Sequence, residues 1–381
     1  MIPGPLFICL GLALVWPAPA VTAAQEAVKQ AAHDSAELTS EGPAAQVASQ
    51  DTGWIERERL LMGTSLTVRL RAESRSAALA VAEAVFEEVA RLESVLSSWS
   101  SDSELGRVNH APPLRETVAS HELTYLLKDA ARWAAATGRA FDPGIGPLVD
   151  AWGLRTGGRV PSADELEAAL AASGIDRFEI RDGLARRTHE SAWIDAGAFG
   201  KGAALNAART VAERAGIRAG VLNFGGQLLL LGQQPSLQTI AVADPRNRSR
   251  AAATLKVGGG SVATTSLSEK RFASSGKRFG HILDPRTGRP APPWGSVTVV
   301  DNDAMVADLL ATALFVMGPE PGLRWAERNG VAALFLKTSD GDVEATWTSK
   351  LNGTVELSGV SGDADDASGE VEDELVKEMG L

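Results

Sequence analysis

Cysteine is nearly absent. The 381-residue chain has one, Cys9, inside an N-terminal apolar run. A single cysteine rules out an intramolecular disulfide, and the rest of the chain has neither a thiol nucleophile nor a cysteine-based zinc site. Basic residues are in deficit: 37 Lys and Arg stand against 48 Asp and Glu, for a net charge of −11. That excludes a general nucleic-acid binder, because phosphate contacts need a basic face. An acidic protein that holds a polyphosphate must use a metal, a lysine or helix N-termini instead. A membrane-spanning run is also missing. Leu6 to Trp16 falls short of the ~20 residues that cross a bilayer, and Pro17 and Pro19 follow it. There is no internal repeat.

Hydrophobic residues make up 44% of the chain, with 38 Gly and 18 Pro. A substantial core and many turns follow, as one large domain or two joined lobes. Residues 1–24 have the pattern of a signal peptide, with small residues at Ala18, Ala20, Ala23 and Ala24 behind the apolar core. Export to the periplasm or cell envelope is the expectation. Residues 25–52 are rich in Ala, Gln, Glu and Ser and read as a flexible linker. The folded domain is expected over 53–350, and residues 351–381 as an acidic solvated tail.

Within the domain the alternation Thr64–Leu70 predicts a strand. Ser76–Leu96 has Val81, Val85, Val89, Leu92 and Leu96 on one face and predicts an amphipathic helix. Ser162-Ala-Asp-Glu165 is a capping box. Gly200–Ala215 predicts a helix closed by Gly216, and Asp303–Met317 an apolar helix stopped by Gly318-Pro319. Gly220–Asn223 and Leu228–Leu231 predict strands around Gly225-Gly226, and Val331–Lys337 a buried strand. Without a regular βαβ rhythm the class is α+β with a largely antiparallel or mixed sheet.

Several segments could carry chemistry. Ile194-Asp-Ala-Gly-Ala-Phe-Gly-Lys-Gly202 runs from a strand end through a small-residue turn into a helix start, where free N–H groups and Lys201 suit a phosphate. The P-loop spacing is absent, and alone the segment reads first as an ordinary strand-to-helix turn. His281-Ile-Leu-Asp-Pro-Arg-Thr-Gly288 is a turn signature in which only His281 asks for more, as a proton acceptor or ligand contact. Asp308 and Thr312 lie four apart on an apolar helix and share a face. A buried carboxylate needs a partner. A hard cation such as Mg²⁺ would supply one, and so would an ion pair, with Thr312 bonded to the preceding turn. Met62-Gly-Thr64, Trp99 with Ser103-Glu-Leu105 and Asn109, and Phe141-Asp-Pro-Gly-Ile-Gly-Pro147 are weaker signals. The last is too rich in Gly and Pro for a helix and is expected to be a loop.

Taken in order from Met62 to Gly318, these segments resemble the ApbE family, the FAD:protein FMN transferases. Seven of them occur in the same order, including Ala307-Asp-Leu-Leu-Ala-Thr-Ala313. The resemblance implies that FAD is gripped at Met62, Trp99, Phe141, Asp142, Gly144, Ile145, Gly146, Asp195, Lys201, Thr265, His281, Ile282 and Leu283. It implies Mg²⁺ on the Ala198 carbonyl and the Asp308 and Thr312 side chains. It also implies export, and a Thr or Ser acceptor on a flavoprotein of a membrane electron-transfer complex, with any membrane contact made through that partner. On this reading the acceptor hydroxyl attacks in line, His281 takes its proton with Asp284 as helper, and Lys201 neutralises charge. An FAD pyrophosphatase and a non-catalytic FAD-binding protein are the alternatives.

The chain departs from the family pattern at Thr265-Ser-Leu267, where the family has glycine last, at Glu269 near an expected aromatic, and at Phe199 in place of a small aliphatic residue. Arg271 can keep a basic role there.

Overall fold

The computed structural model describes residues 54–232, 236–266, 271–274, 277–339 and 342–358. The expected signal peptide and linker, Leu267, Glu269 and the side chain of Arg271 lie outside the described parts, as does the chain beyond residue 358.

Strands β1 (Trp54–Leu61), β2 (Thr64–Arg71), β3 (Ala219–Phe224), β4 (Gln227–Gly232), β5 (Gly260–Ser266), β6 (Gly295–Asp301), β7 (Ala332–Ser339) and β8 (Asp342–Trp347) form one sheet. Their spatial order follows chain order, and every pairing is antiparallel. Helices α1 (Arg75–Leu96), α2 (Gly200–Arg214), α3 (Ala304–Met317) and α4 (Pro319–Arg328) pack in a row, each against the next. The α+β expectation is met, with the sheet wholly antiparallel.

Most of the sheet is buried on both faces, which explains its continuous apolar runs. In β7, Ala333 and Phe335 join the core under the helices. Leu334 and Leu336 point the other way, into a second core with Ile240, Val242 and Leu255. That second core is covered by a three-stranded sheet of residues 238–244, 247–257 and 355–357. The acidic tail expected from residue 351 therefore begins later. Leu351 is 3% exposed, and Val355–Leu357 pair with Ala253–Leu255. The reason is sequence-local: Leu351 and Val355 are apolar and precede the run of acids.

α3 is the deepest element, with every residue from Ala304 to Ala311 buried. Asp303 caps it, accepting from the amides of Met305 and Val306. The Ser162–Glu165 capping box forms as predicted.

The segment Phe141–Pro147, expected as a loop, is instead a 3₁₀ turn Pro143–Ile145 running into a helix Gly146–Ala151. Proline is tolerated in a first helical turn because its missing N–H has no partner there anyway. That short helix joins the helix Ala163–Ala172 and the hairpin of Leu283–Asp284 with Arg289–Pro290 around Leu148, Trp152, Ala169 and Leu283. The Trp152 indole N–H donates to the Gly288 carbonyl at 2.7 Å and closes this small lobe.

Candidate active site

The site has two ends, and the segment Ile194–Gly202 connects them. At one end α2 meets α3. No side chain caps α2 from its own segment. Instead Asp308, from α3, accepts from the Gly202 amide at 3.2 Å and from Lys201 Nζ at 3.3 Å. A carboxylate thus sits where a helix start offers N–H groups and a positive dipole end. Asp308 is 6% exposed, and the ion pair with Lys201 offsets part of its burial. Close approach of the helices requires glycine at 202, since a Cβ there would lie 2.2 Å from the Ala304 carbonyl oxygen. The Thr312 hydroxyl reaches the Asp308 carbonyl at 3.4 Å, a bond to the preceding turn.

Oxygen donors are what a hard divalent cation takes. Asp308 Oδ, Thr312 Oγ1 and the Ala198 carbonyl are all oxygen donors, and the present partners of Asp308 stand at the long end of hydrogen-bond range. Among the described residues no cluster of three His, Cys, Asp or Glu could hold a metal. A cation here would rest on one carboxylate and would need further oxygens from a ligand, the habit of Mg²⁺ at phosphates.

Two hairpin tips border this end. Met62 adopts φ 49° and Gly63 φ 76°, so a non-glycine residue holds a left-handed conformation at the β1–β2 turn. The Met62 side chain reaches the start of α2, with its Cε 3.3 Å from where a Gly200 Cβ would stand. Asn223 Oδ1 accepts from the Gly226 amide and shapes the β3–β4 tip. A Cβ at Gly225 would come within 2.8 Å of the Thr64 hydroxyl, so the two tips touch.

At the other end lies Asp195. Its Oδ1 accepts from the Gly197 amide and its Oδ2 from Arg155 Nη2 at 2.9 Å. Asn109 fixes the approach to it: its amide donates to the Ile194 carbonyl and accepts from the Ile194 N–H, imitating a strand neighbour. Arg155 lies with its guanidinium carbon 4.2 Å from the Trp99 ring and 4.2 Å from the Trp193 ring. Trp193 in turn lies over Gly146, where a Cβ would stand 2.1 Å from the indole. Trp99 is 71% exposed. Trp193 and Arg155 are additions to the residues expected from sequence. An arginine in a loop forty residues from its carboxylate leaves no local pattern, though Trp193 stands two before Asp195.

Several other expected contact residues have side chains engaged within the fold. Phe141 is 2% exposed and packs edge-on against Phe199, so both rings belong to the core. The Asp142 carboxylate is met by protein groups. Its Oδ1 accepts from the amides of Gly144 and Ile175, and Oδ2 lies 2.9 Å from Arg139 Nε. Burial pushes its carboxyl up, against the pull of those amides and of Arg139. Gly144 packs on the Gly174 backbone with no room for a side chain. Ile145 and Leu283 pack in the small lobe and Ile282 in the main core, and His281 is half-buried. Asp284 accepts from Arg286 with both carboxylate oxygens, at 2.8 and 2.9 Å. Both of its carboxylate oxygens are engaged in building the turn. Thr265 is half-buried on β5, paired with Val297.

The sequence profile of the ApbE family matches residues 62–335. A curated relative from Vibrio cholerae, named FAD:protein FMN transferase, is 32% identical over 254 residues, 65% of this chain and 76% of its own. One of the same name from Salmonella typhimurium is 28% identical over 330 residues, 83% of this chain and 91% of its own. Among solved structures, the flavin transferase ApbE from Vibrio cholerae matches with a TM-score of 0.70 at 27% identity, over 79% of this chain and 99% of that one. The ApbE protein of Thermotoga maritima matches with a TM-score of 0.72 at 29% identity, over 78% and 97%. Sequence, fold and the ordered motifs agree, and the chain belongs to the ApbE family.

Proposed function

We propose that this transferase moves FMN from FAD to a Thr or Ser hydroxyl of a target flavoprotein, with Mg²⁺, and releases AMP. The relatives' shared name, FAD:protein FMN transferase, supports flavin transfer from FAD. One observation carries the finer reading: the short segment Ile194–Gly202 joins an aromatic and guanidinium stack at Asp195 to a helix start bearing Lys201 beside the buried Asp308. A dinucleotide needs those two surfaces, one for a planar ring and one for its pyrophosphate.

On this reading Asp308, Thr312 and the Ala198 carbonyl hold Mg²⁺, which when bound polarises the phosphorus. Lys201 and the first amides of α2 balance charge on the phosphates. The acceptor oxygen forms a bond to the FMN phosphorus as the bond to the AMP phosphate breaks. His281 receives the hydroxyl proton, and AMP departs with the bridging oxygen. Catalysis of this kind rests on placement and charge more than on a strong base. The N-terminal pattern supports export, and with it an acceptor in a membrane electron-transfer complex.

The test is AMP release from FAD by the mature protein with Mg²⁺, with and without a domain carrying an acceptor threonine. AMP that appears only with acceptor, together with covalent FMN on that domain by mass, is the expected result. AMP without acceptor would make the protein a hydrolase. Bound FAD with neither product would make it a carrier.

A further inference from the structure

We propose that Arg155 is a positioning residue for FAD, holding Trp99 as a rigid platform on which a planar ring of the dinucleotide stacks. The inference rests on the reading of the site given above. Four layers are visible in the geometry: Gly146, the Trp193 indole, the Arg155 guanidinium and the Trp99 indole. The inner layers are fixed. Gly146 lets Trp193 lie flat on the backbone, and the Trp193 N–H donates to Asp150 Oδ2 at 2.7 Å. The guanidinium is tied on three sides, to the Ser98 carbonyl at 2.8 Å, the Ser98 hydroxyl at 2.8 Å and Asp195 Oδ2 at 2.9 Å.

The outermost layer is different in kind. Trp99 is 71% exposed, in a turn where the amides of Trp99 and Ser100 donate to the Ser97 hydroxyl. An indole so exposed adds little to the core and leaves most of its ring accessible to a planar ligand. Arg155 Nε is buried without an acceptor, a cost that the stacking and the three other bonds outweigh. Both terminal nitrogens of the fork are used: one reaches Ser98 O, the other bridges Ser98 Oγ and Asp195. Lysine, a point charge without a planar face, cannot reproduce this. One side chain thus sets both the plane of Trp99 and the direction of the Asp195 carboxylate, before any ligand arrives.

The experiment is a double-mutant cycle on the mature chain, with FAD as probe, read by titration calorimetry and by steady-state AMP release. Arg155→Met keeps the stem and removes the fork. It should raise the FAD Kd and KM ~10-fold, with kcat within about twofold of the parent. Trp99→Leu should do the same, and the double variant should be no weaker than the worse single, because both remove one platform. Arg155→Lys should fall nearer Met than the parent, and it serves if the Met variant does not fold. Losses that multiply in the double variant, or an Arg155→Met protein that binds FAD like the parent, would overturn the inference while leaving the transferase reading intact. A parent protein that binds no FAD would overturn both.

Discussion

The two ends of the site are built by different means. The α2–α3 end uses the termini and faces of helices that already belong to the main core, and its polar groups are few: the buried Asp308, the half-buried Lys201 and the Gly202 amide. The Asp195 end uses loops and turns, and is held by side chains bonding backbone: Asn109 on Ile194, Arg155 on Ser98, Asp142 on Gly144 and Ile175. The first is rigid because the domain is folded. The second is rigid only because each of these bonds is made. Chemistry on phosphorus demands accurate placement of charge, and the proposed function assigns it to the end built on core helices.

That contrast predicts where damage shows. Asp308→Ala should remove metal-dependent AMP release by ~10³-fold, since a metal's charge stabilisation amounts to several kcal/mol. The checks are an AMP assay across Mg²⁺ concentrations and a metal titration of the variant; saturable Mg²⁺-dependent turnover near the parent rate would refute the assignment. Lys201→Met should lower kcat ~10²-fold with a smaller change in KM, as expected for a charge that matters most in the transition state.

At the other end the loss should be structural. Asp142→Ala leaves the Gly144 and Ile175 amides buried without an acceptor and should destabilise the fold by about 2–4 kcal/mol in a denaturant titration. Asp142→Asn keeps the Oδ1 acceptor and should cost far less. Its pH dependence sharpens the point. Burial raises the Asp142 carboxyl in the folded state, so its contribution favours folding at acid pH and is lost as pH rises through the raised value. The Asn variant should lose that part of the acid-side slope. Smallest of all, Glu165 is lowered to about 2 by Arg159 and the Ser162 amide, in that order. Its stabilisation is present above the ordinary glutamate value near 4.5 and fades as pH falls toward 2. Glu165→Gln should flatten a thermal-melting curve slightly over that window and leave turnover unchanged.

Much of the α2–α3 end was legible in sequence because it follows periodic elements. Four-residue spacing put Asp308 and Thr312 on one face, and the strand-turn-helix pattern put Lys201 at a helix start. The pairing of Asp308 with Lys201 and Gly202 was not legible, since it joins residues over a hundred positions apart with no local signature. The Asp195 end was harder still. Asp142 and Asp284 look like ligand groups in a motif, yet their carboxylates are spent on nearby amides and arginines. Phe141-Asp-Pro-Gly-Ile-Gly-Pro147 misled because glycine served close packing against Gly174 and Trp193, not a flexible loop. Four of the eight strands of the sheet are legible as apolar runs or alternation, whereas its order depends on long-range pairing that periodicity does not encode.

That order has one interruption with a kinetic meaning. The chain leaves the sheet at Arg71 and returns at Ala219, and these two residues are paired across the β2–β3 seam. Every other junction in the sheet closes over a shorter stretch of chain. Closing the longest loop carries the largest entropic barrier, so the seam should be the last junction to zip during folding. Met62-Gly-Thr64 and Gly225-Gly226 meet at the end of that seam. The two tips should therefore come together late in folding, and a ligand that engages both would act as a clasp on the step that completes the domain.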